Sequence, residues 1–127
     1  MMDDMGSFRI DIEVENNAAP GARRVIRNVL VDTGAELSCF PAAVLVDLGI
    51  ERRVVRRFRQ ADGSVLERWT GQASIYAADA WTVDQVIFGE SGDLTLLGSR
   101  SLEGLNLRID PVAKRLSDAG PMPLAAL

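Results

Sequence analysis

From Phe8 to Val14 apolar and polar residues alternate without interruption, the two-residue period of a strand with one buried face. The cluster from Asn16-Asn17 to Pro20-Gly21 predicts a turn. A second strand follows from Val25 to Val31, and its last three residues run straight into Asp32-Thr33-Gly34-Ala35. The period changes between Phe40 and Ile50, where Val44, Leu45 and Leu48 form a helical stripe, with Pro41 suited to the first turn and Gly49 to the C-terminal cap. Two β-rich arms, Val54 to Gln60 and Val65 to Ala77, flank Ala61-Asp62-Gly63-Ser64, and Asp-Gly in that setting is a strong hairpin signal. Trp81 to Phe88 predicts a strand ending at Gly89, and Glu90 to Asp93 a turn. Leu94-Thr95-Leu96-Leu97-Gly98 is a short apolar strand leading into a helix over Ser99 to Leu105. Leu105 to Pro111 and Lys114 to Leu116 close the pattern. It describes an all-β fold with one or two short helices, a single domain over residues 1–127 with its core at about 8–116. The tail, 117–127, is apolar but broken by prolines and is expected to be disordered or interfacial.

Composition narrows the chemistry. The chain has 127 residues, 47% of them apolar, enough for one domain with a sizeable core. A net charge of −4 argues against nucleic acid as the main partner. No apolar run reaches the roughly 18 residues of a membrane span. Met1-Met2-Asp3-Asp4 has neither the basic flank nor the apolar segment of a signal peptide. The single cysteine, Cys39, can form no internal disulfide and is expected to be a small buried apolar residue. Cytoplasmic residence is the default. The chain has no histidine, which removes Ser-His-Asp and Cys-His catalysis and histidine-ligated zinc together. Carboxylates remain as the acid–base groups. Arg52, Arg53, Arg56, Arg57 and Arg59 form a basic run interleaved with Val54, Val55 and Phe58. It reads as a solvated strand face, the functional alternative being contact with nucleic acid or an acidic substrate.

Against that background Asp32 stands out. An apolar strand that ends on a carboxylate incurs a desolvation cost unless the group has a task, and Gly34 allows the backbone to pass close to whatever the carboxylate faces. Here the sequence resembles the retropepsin-like aspartic proteases, in particular their bacterial members. The likeness runs in order through the hairpin, Asp32-Thr33-Gly34-Ala35, the helix, the hairpin at Ala61–Ser64, Leu96-Leu97-Gly98, the second helix and Leu-x-Ile-Asp-Pro to Arg115-Leu116. The resemblance implies a closed acid-protease β fold in which Asp32 is the catalytic aspartate and Thr33, Gly34 and Ala35 support its loop. It further implies that Ala61, Asp62, Gly63 and Ser64 form a flap over substrate, and that Leu96, Leu97 and Gly98 lock the catalytic loop from behind. Glu36 fills an acidic position of the family. Its arginine partner there directly follows the apolar-apolar-Gly motif, whereas here Ser99 intervenes and Arg100 comes one place later, a shift that leaves a Glu36–Arg100 pair open.

Peptide hydrolysis by carboxylates needs two of them, one ionised and one protonated. At about 3 Å two carboxylates repel by about 5 kcal/mol at an effective dielectric of 20, so they share one proton. The chain has one Asp-Thr-Gly, and Asp79, Asp84 and Asp110 lie in unlike contexts. The resemblance therefore implies a homodimer, with an Asp32 from each copy meeting on a two-fold axis, Thr33 bonding across it, and a peptide or protein as substrate. No cofactor, metal, nucleic acid or membrane enters this scheme. The alternative is a non-catalytic peptide-binding or dimerisation module that keeps the fold.

Overall fold

The computed structural model describes residues 8–126; the acidic Met1–Asp4 segment lies outside them. Nine strands and two short helices follow one another. They are β1 (Phe8–Glu15), β2 (Arg23–Val31), β3 (Ser38–Pro41), α1 (Ala42–Asp47), β4 (Val54–Arg59), β5 (Val65–Ala77), β6 (Ala80–Gly89), β7 (Leu96–Leu97), α2 (Ser99–Leu105), β8 (Leu107–Asp110) and β9 (Arg115–Asp118). The fold is all-β, as the pattern predicts.

Seven strands form one mixed sheet in the order β1-β2-β7-β3-β6-β5-β4, and β5 also pairs with β1. That extra pairing closes the sheet into a ring and leaves β4 outside it, bonded to β5 alone. The ring encloses a core of Ile12, Val14, Val29, Val31, Phe40, Ile75, Val86, Phe88 and Leu97, closed from one end by Leu102 and Leu105 of α2. Leu107 and Leu116 of the separate β8–β9 hairpin complete it.

The phase of β2 is corrected by a bulge. Ile10 pairs with Val29 but Ile12 pairs with Ile26, so β2 carries an extra residue there. Asn28 takes it up at φ 56°, a left-handed conformation that asparagine tolerates, and the Asp11 carboxylate accepts its N–H at 3.0 Å. Past the bulge, Val29 and Val31 fall on the core face.

Two expectations need revision. The helix expected over Phe40–Ile50 is only Ala42–Asp47, and Ser38–Pro41 is instead a strand, parallel to β6 with Phe40 opposite Phe88. A residue before proline is pushed out of the helical region, so Phe40 extends and buries its ring completely. Gly49 does cap the helix, at φ 78°. At the other end β9 runs to Asp118, beyond the expected core limit at 116, and the Asn106 side chain holds Gly120 O at 2.8 Å. Met122 and Leu124 beyond it are exposed.

Candidate active site

β7 lies between β2 and β3, parallel to the first and antiparallel to the second. The link from Asp32 to Leu37 therefore crosses the end of β7. Its backbone is held there by the segment it crosses. Asp32 N–H donates to Leu97 O at 3.0 Å, Ser99 N–H to Ala35 O at 2.8 Å and Arg100 N–H to Glu36 O at 3.1 Å. Gly98 is the point of closest approach. A Cβ there would stand 2.7 Å from the carbonyl carbon and oxygen of Leu37 and 2.9 Å from Glu36 O. Glu36 and Arg100 thus meet through their backbones. No side-chain ion pair joins them: Arg100 lies in the first turn of α2 with its N–H turned to the loop and its side chain exposed.

Leu96-Leu97-Gly98 divides its labour. Leu97 is fully buried in the core, Leu96 lines the cleft beside Asp32, and Gly98 admits the loop. Beneath Gly98 runs a buried polar chain that the sequence pattern does not announce. Gly98 N–H donates to Ser38 Oγ at 3.0 Å, the Ser38 and Ser101 hydroxyls lie 2.6 Å apart, and Ser101 donates to Asp84 at 2.9 Å. Ser101 spends its one proton on the carboxylate, so Ser38 must donate to Ser101. Every member is satisfied, the condition under which a buried network rigidifies its surroundings.

Asp32 is half-buried at the end of β2, on the face opposite the core. Its Oδ1 accepts the Gly34 N–H at 2.9 Å, and its carbonyl accepts that of Ala35 at 3.2 Å. A Cβ on Gly34 would come 3.3 Å from the same Oδ1, so glycine here leaves the carboxylate room. Thr33 and Gly34 are exposed at the tip of the turn.

Asp32, Gly34 and Ala35 open onto a cleft of about 710 Å³. Its walls are Phe58 and Leu66 of the β4–β5 arm, with Cys39, Ile87, Leu94 and Leu96, and Gln60 and Ala61 stand at its rim. The Ala61–Ser64 hairpin forms as expected, with Gly63 at φ 88° and Ser64 N–H held by Asp62 Oδ1 at 2.9 Å. Ala61 is brought to the cleft; Asp62, Gly63 and Ser64 lie beyond it, at the exposed tip. Trp69 sits on the arm 43% exposed, packed neither in the core nor beneath the hairpin.

Two further residues in the cleft escape a reading by motif. Arg68 donates through Nε and Nη2 to the two carboxylate oxygens of Asp93, at 2.7 and 2.9 Å. The arginine holds the Asp93 carboxyl below the ordinary carboxylate range. Burial pushes the Cys39 thiol up to about 12, with the Asp93 charge adding to it, so it stays neutral, as the expected role of Cys39 requires. Among the described residues no group of three or more Cys, Asp or Glu side chains is arranged to hold a metal ion, and no helix is long and apolar enough to cross a membrane.

The chain matches no protein-family model and no curated protein.

Proposed function

We propose that the protein is an aspartic endopeptidase of the retropepsin-like kind, acting as a homodimer with one Asp32 from each copy. The observation that carries this reading is the state of the cleft. Asp32 opens into it with one oxygen bound to a single backbone amide, while the other carboxylate lining it, Asp93, is tied to Arg68 by two hydrogen bonds. A carboxylate held as an anion by arginine cannot be the protonated member of an acid–base pair. On this reading the partner of Asp32 comes from a second copy of the chain, to which the exposed Thr33 and Gly34 beside it are accessible.

In this mechanism the two Asp32 carboxylates share one proton. The ionised one takes a proton from a water molecule, whose oxygen attacks the scissile carbonyl carbon. The protonated one donates to the carbonyl oxygen, and a proton returned to the nitrogen releases the amine. The β4–β5 arm excludes bulk water from the cleft.

The test uses purified protein, an unfolded protein substrate and a pH series. Wild type is expected to cleave with an optimum below about pH 6.5, since the pair loses its acid when the second proton leaves, and to be inhibited by pepstatin. Asp32→Asn is expected to lose at least a thousandfold in rate, because the amide cannot serve as base. Mixed in equal amounts with exchange verified, wild type and Asp32→Asn should give about half the activity per wild-type chain, since random pairing leaves half of those chains in hybrids. Peptide binding without cleavage would overturn the enzymatic reading, and unchanged activity per wild-type chain the shared site.

A further inference from the structure

The β4–β5 arm carries a charge that the rest of the molecule does not share. Between Glu51 and Trp69 lie six arginines and three carboxylates, a local net of +3 in a chain whose net charge is −4. Arg52, Arg53, Arg56, Arg57 and Arg59 are all exposed. Among the described residues none of the five has a carboxylate within ion-pair distance, whereas Arg23, Arg24 and Arg27 each have one and Arg68 has two. Charges on an edge strand discourage self-pairing, and β4 is such an edge. Two features go beyond that need. Arg59 stands at the rim of the Asp32 cleft next to Phe58, and Arg57 and Arg59 together flank a shallow depression of about 300 Å³ with Phe58 and Val65.

We propose that this arm selects substrate peptides in which an apolar segment is flanked by two acidic residues spaced as Glu-x-Glu, read by Arg57 and Arg59. The inference rests on the endopeptidase reading. Alternate residues of a strand project to one face about 7 Å apart, so two arginines two positions apart match two carboxylates two positions apart in an extended peptide. The peptide crosses the open edge of β4: its apolar part enters the cleft on the Phe58 and Leu66 face, against Ile87 and Leu96, and its acidic flank lies on the opposite face, in the depression that Arg57 and Arg59 share with Val65. Glu67, opposite Arg57 in the ladder, lies beyond ion-pair distance of it and leaves the guanidinium free. Nucleic acid fits less well. A continuous polyanion would also lie along Asp62 and Glu67 of the same arm, and Trp69 is the arm's single exposed aromatic ring able to stack a base.

The experiment compares three labelled peptides with one apolar centre and flanks of Glu-Gly-Glu, Gln-Gly-Gln or Lys-Gly-Lys. It is run at pH 5.5, where glutamate is ionised. Binding to full-length Asp32→Asn is read by fluorescence anisotropy, and kcat/KM is measured on wild type. The Glu peptide is expected to bind about tenfold more tightly than the Gln peptide at 50 mM salt, the preference falling below about twofold at 500 mM as screening shortens its reach. The Lys peptide should bind most weakly. The Glu:Gln ratio should collapse in Arg57→Gln/Arg59→Gln and persist in Arg108→Gln, an exposed arginine elsewhere. Equal binding of the Glu and Gln peptides overturns the proposal. So does displacement of the Glu peptide by a single-stranded oligonucleotide of equal charge more effectively than by the unlabelled peptide. Selective binding with no hydrolysis by wild type overturns the endopeptidase reading alone, and hydrolysis without discrimination overturns this one alone.

Discussion

At position 98 a single methyl group decides whether the Asp32 loop can lie where it does. The Cβ of an alanine would press on the Leu37 and Glu36 carbonyls, backbone atoms of which Glu36 O is already held by the Arg100 N–H. Gly98→Ala is expected to destabilise the fold by about 2–4 kcal/mol. Gly92→Ala, at φ 92° with nothing within 4 Å, should cost only the 1–2 kcal/mol of a left-handed residue. Urea titration of the two variants separates the effects. The Arg68–Asp93 pair makes stability depend on acid. Arg68 lowers the Asp93 pKa in the folded chain, so the pair stabilises the fold above the ordinary carboxylate value near 4, and that contribution is lost as pH falls through the lowered one. The melting-temperature gap between wild type and Asp93→Asn should be constant above about pH 5 and close below about pH 4; a gap that widens in acid would contradict the assignment. Asp32 and Gly98 could be read from the sequence because each belongs to a short contiguous motif. Arg68 with Asp93, 25 residues apart, and Ser38 with Ser101, 63 apart, could not. Nothing local in a chain marks two residues that meet only when distant strands align.

Elements were legible where their hydrophobic period was long. Strands β1, β5 and β6 lie almost to the residue where the pattern places them, and the Asp-Gly turn falls at the hairpin tip. β3 carries too little period in its four residues to be legible, and the helical pattern behind it extends over Phe40 and Pro41; the decisive cue is Pro41, which holds Phe40 extended. The β5–β6 turn was hidden for another reason. Ala78 and Asp79 both take positive φ, 47° and 66°, a two-residue hairpin geometry that usually calls for asparagine or glycine. The arm itself offers a test of whether it is structure or cover. Gly63 is at φ 88° with nothing within 4 Å, so Gly63→Val meets only a backbone obstacle worth about 1–2 kcal/mol. On the proposed function, kcat/KM should fall at least tenfold while the melting temperature drops by only a few degrees. A fall in melting temperature with unchanged turnover per folded molecule would make the hairpin ordinary structure.

For the molecule as a whole, the fold class followed from the run of strands, but the closure of the ring did not, since it depends on β1 finding β5 far along the chain. That closure rests on three residue pairs, Glu13 with Tyr76, Val14 with Ile75 and Glu15 with Ser74. Across it Tyr76 donates its hydroxyl to Glu15 at 2.6 Å, and the Arg23 guanidinium stacks 3.6 Å from the Tyr76 ring centre. Elsewhere in the ring the hairpins β1–β2 and β5–β6 form between near neighbours, whereas the Glu15–Tyr76 contact spans 61 residues, a separation that the Leu30–Leu96 pairing of β2 with β7 matches. Joining distant segments carries a larger entropic penalty than joining near ones. The consequence is kinetic: the clasp, like the β2–β7 pairing, is made after the two hairpins and released before them. In native-state hydrogen exchange, the amides of β1 and β5 that bond across it should open at lower free energy than those bonding β5 to β6, with both flanking hairpins still intact. The ring would then breathe at its long-range seams, this clasp among them, while its hairpins stay fastened.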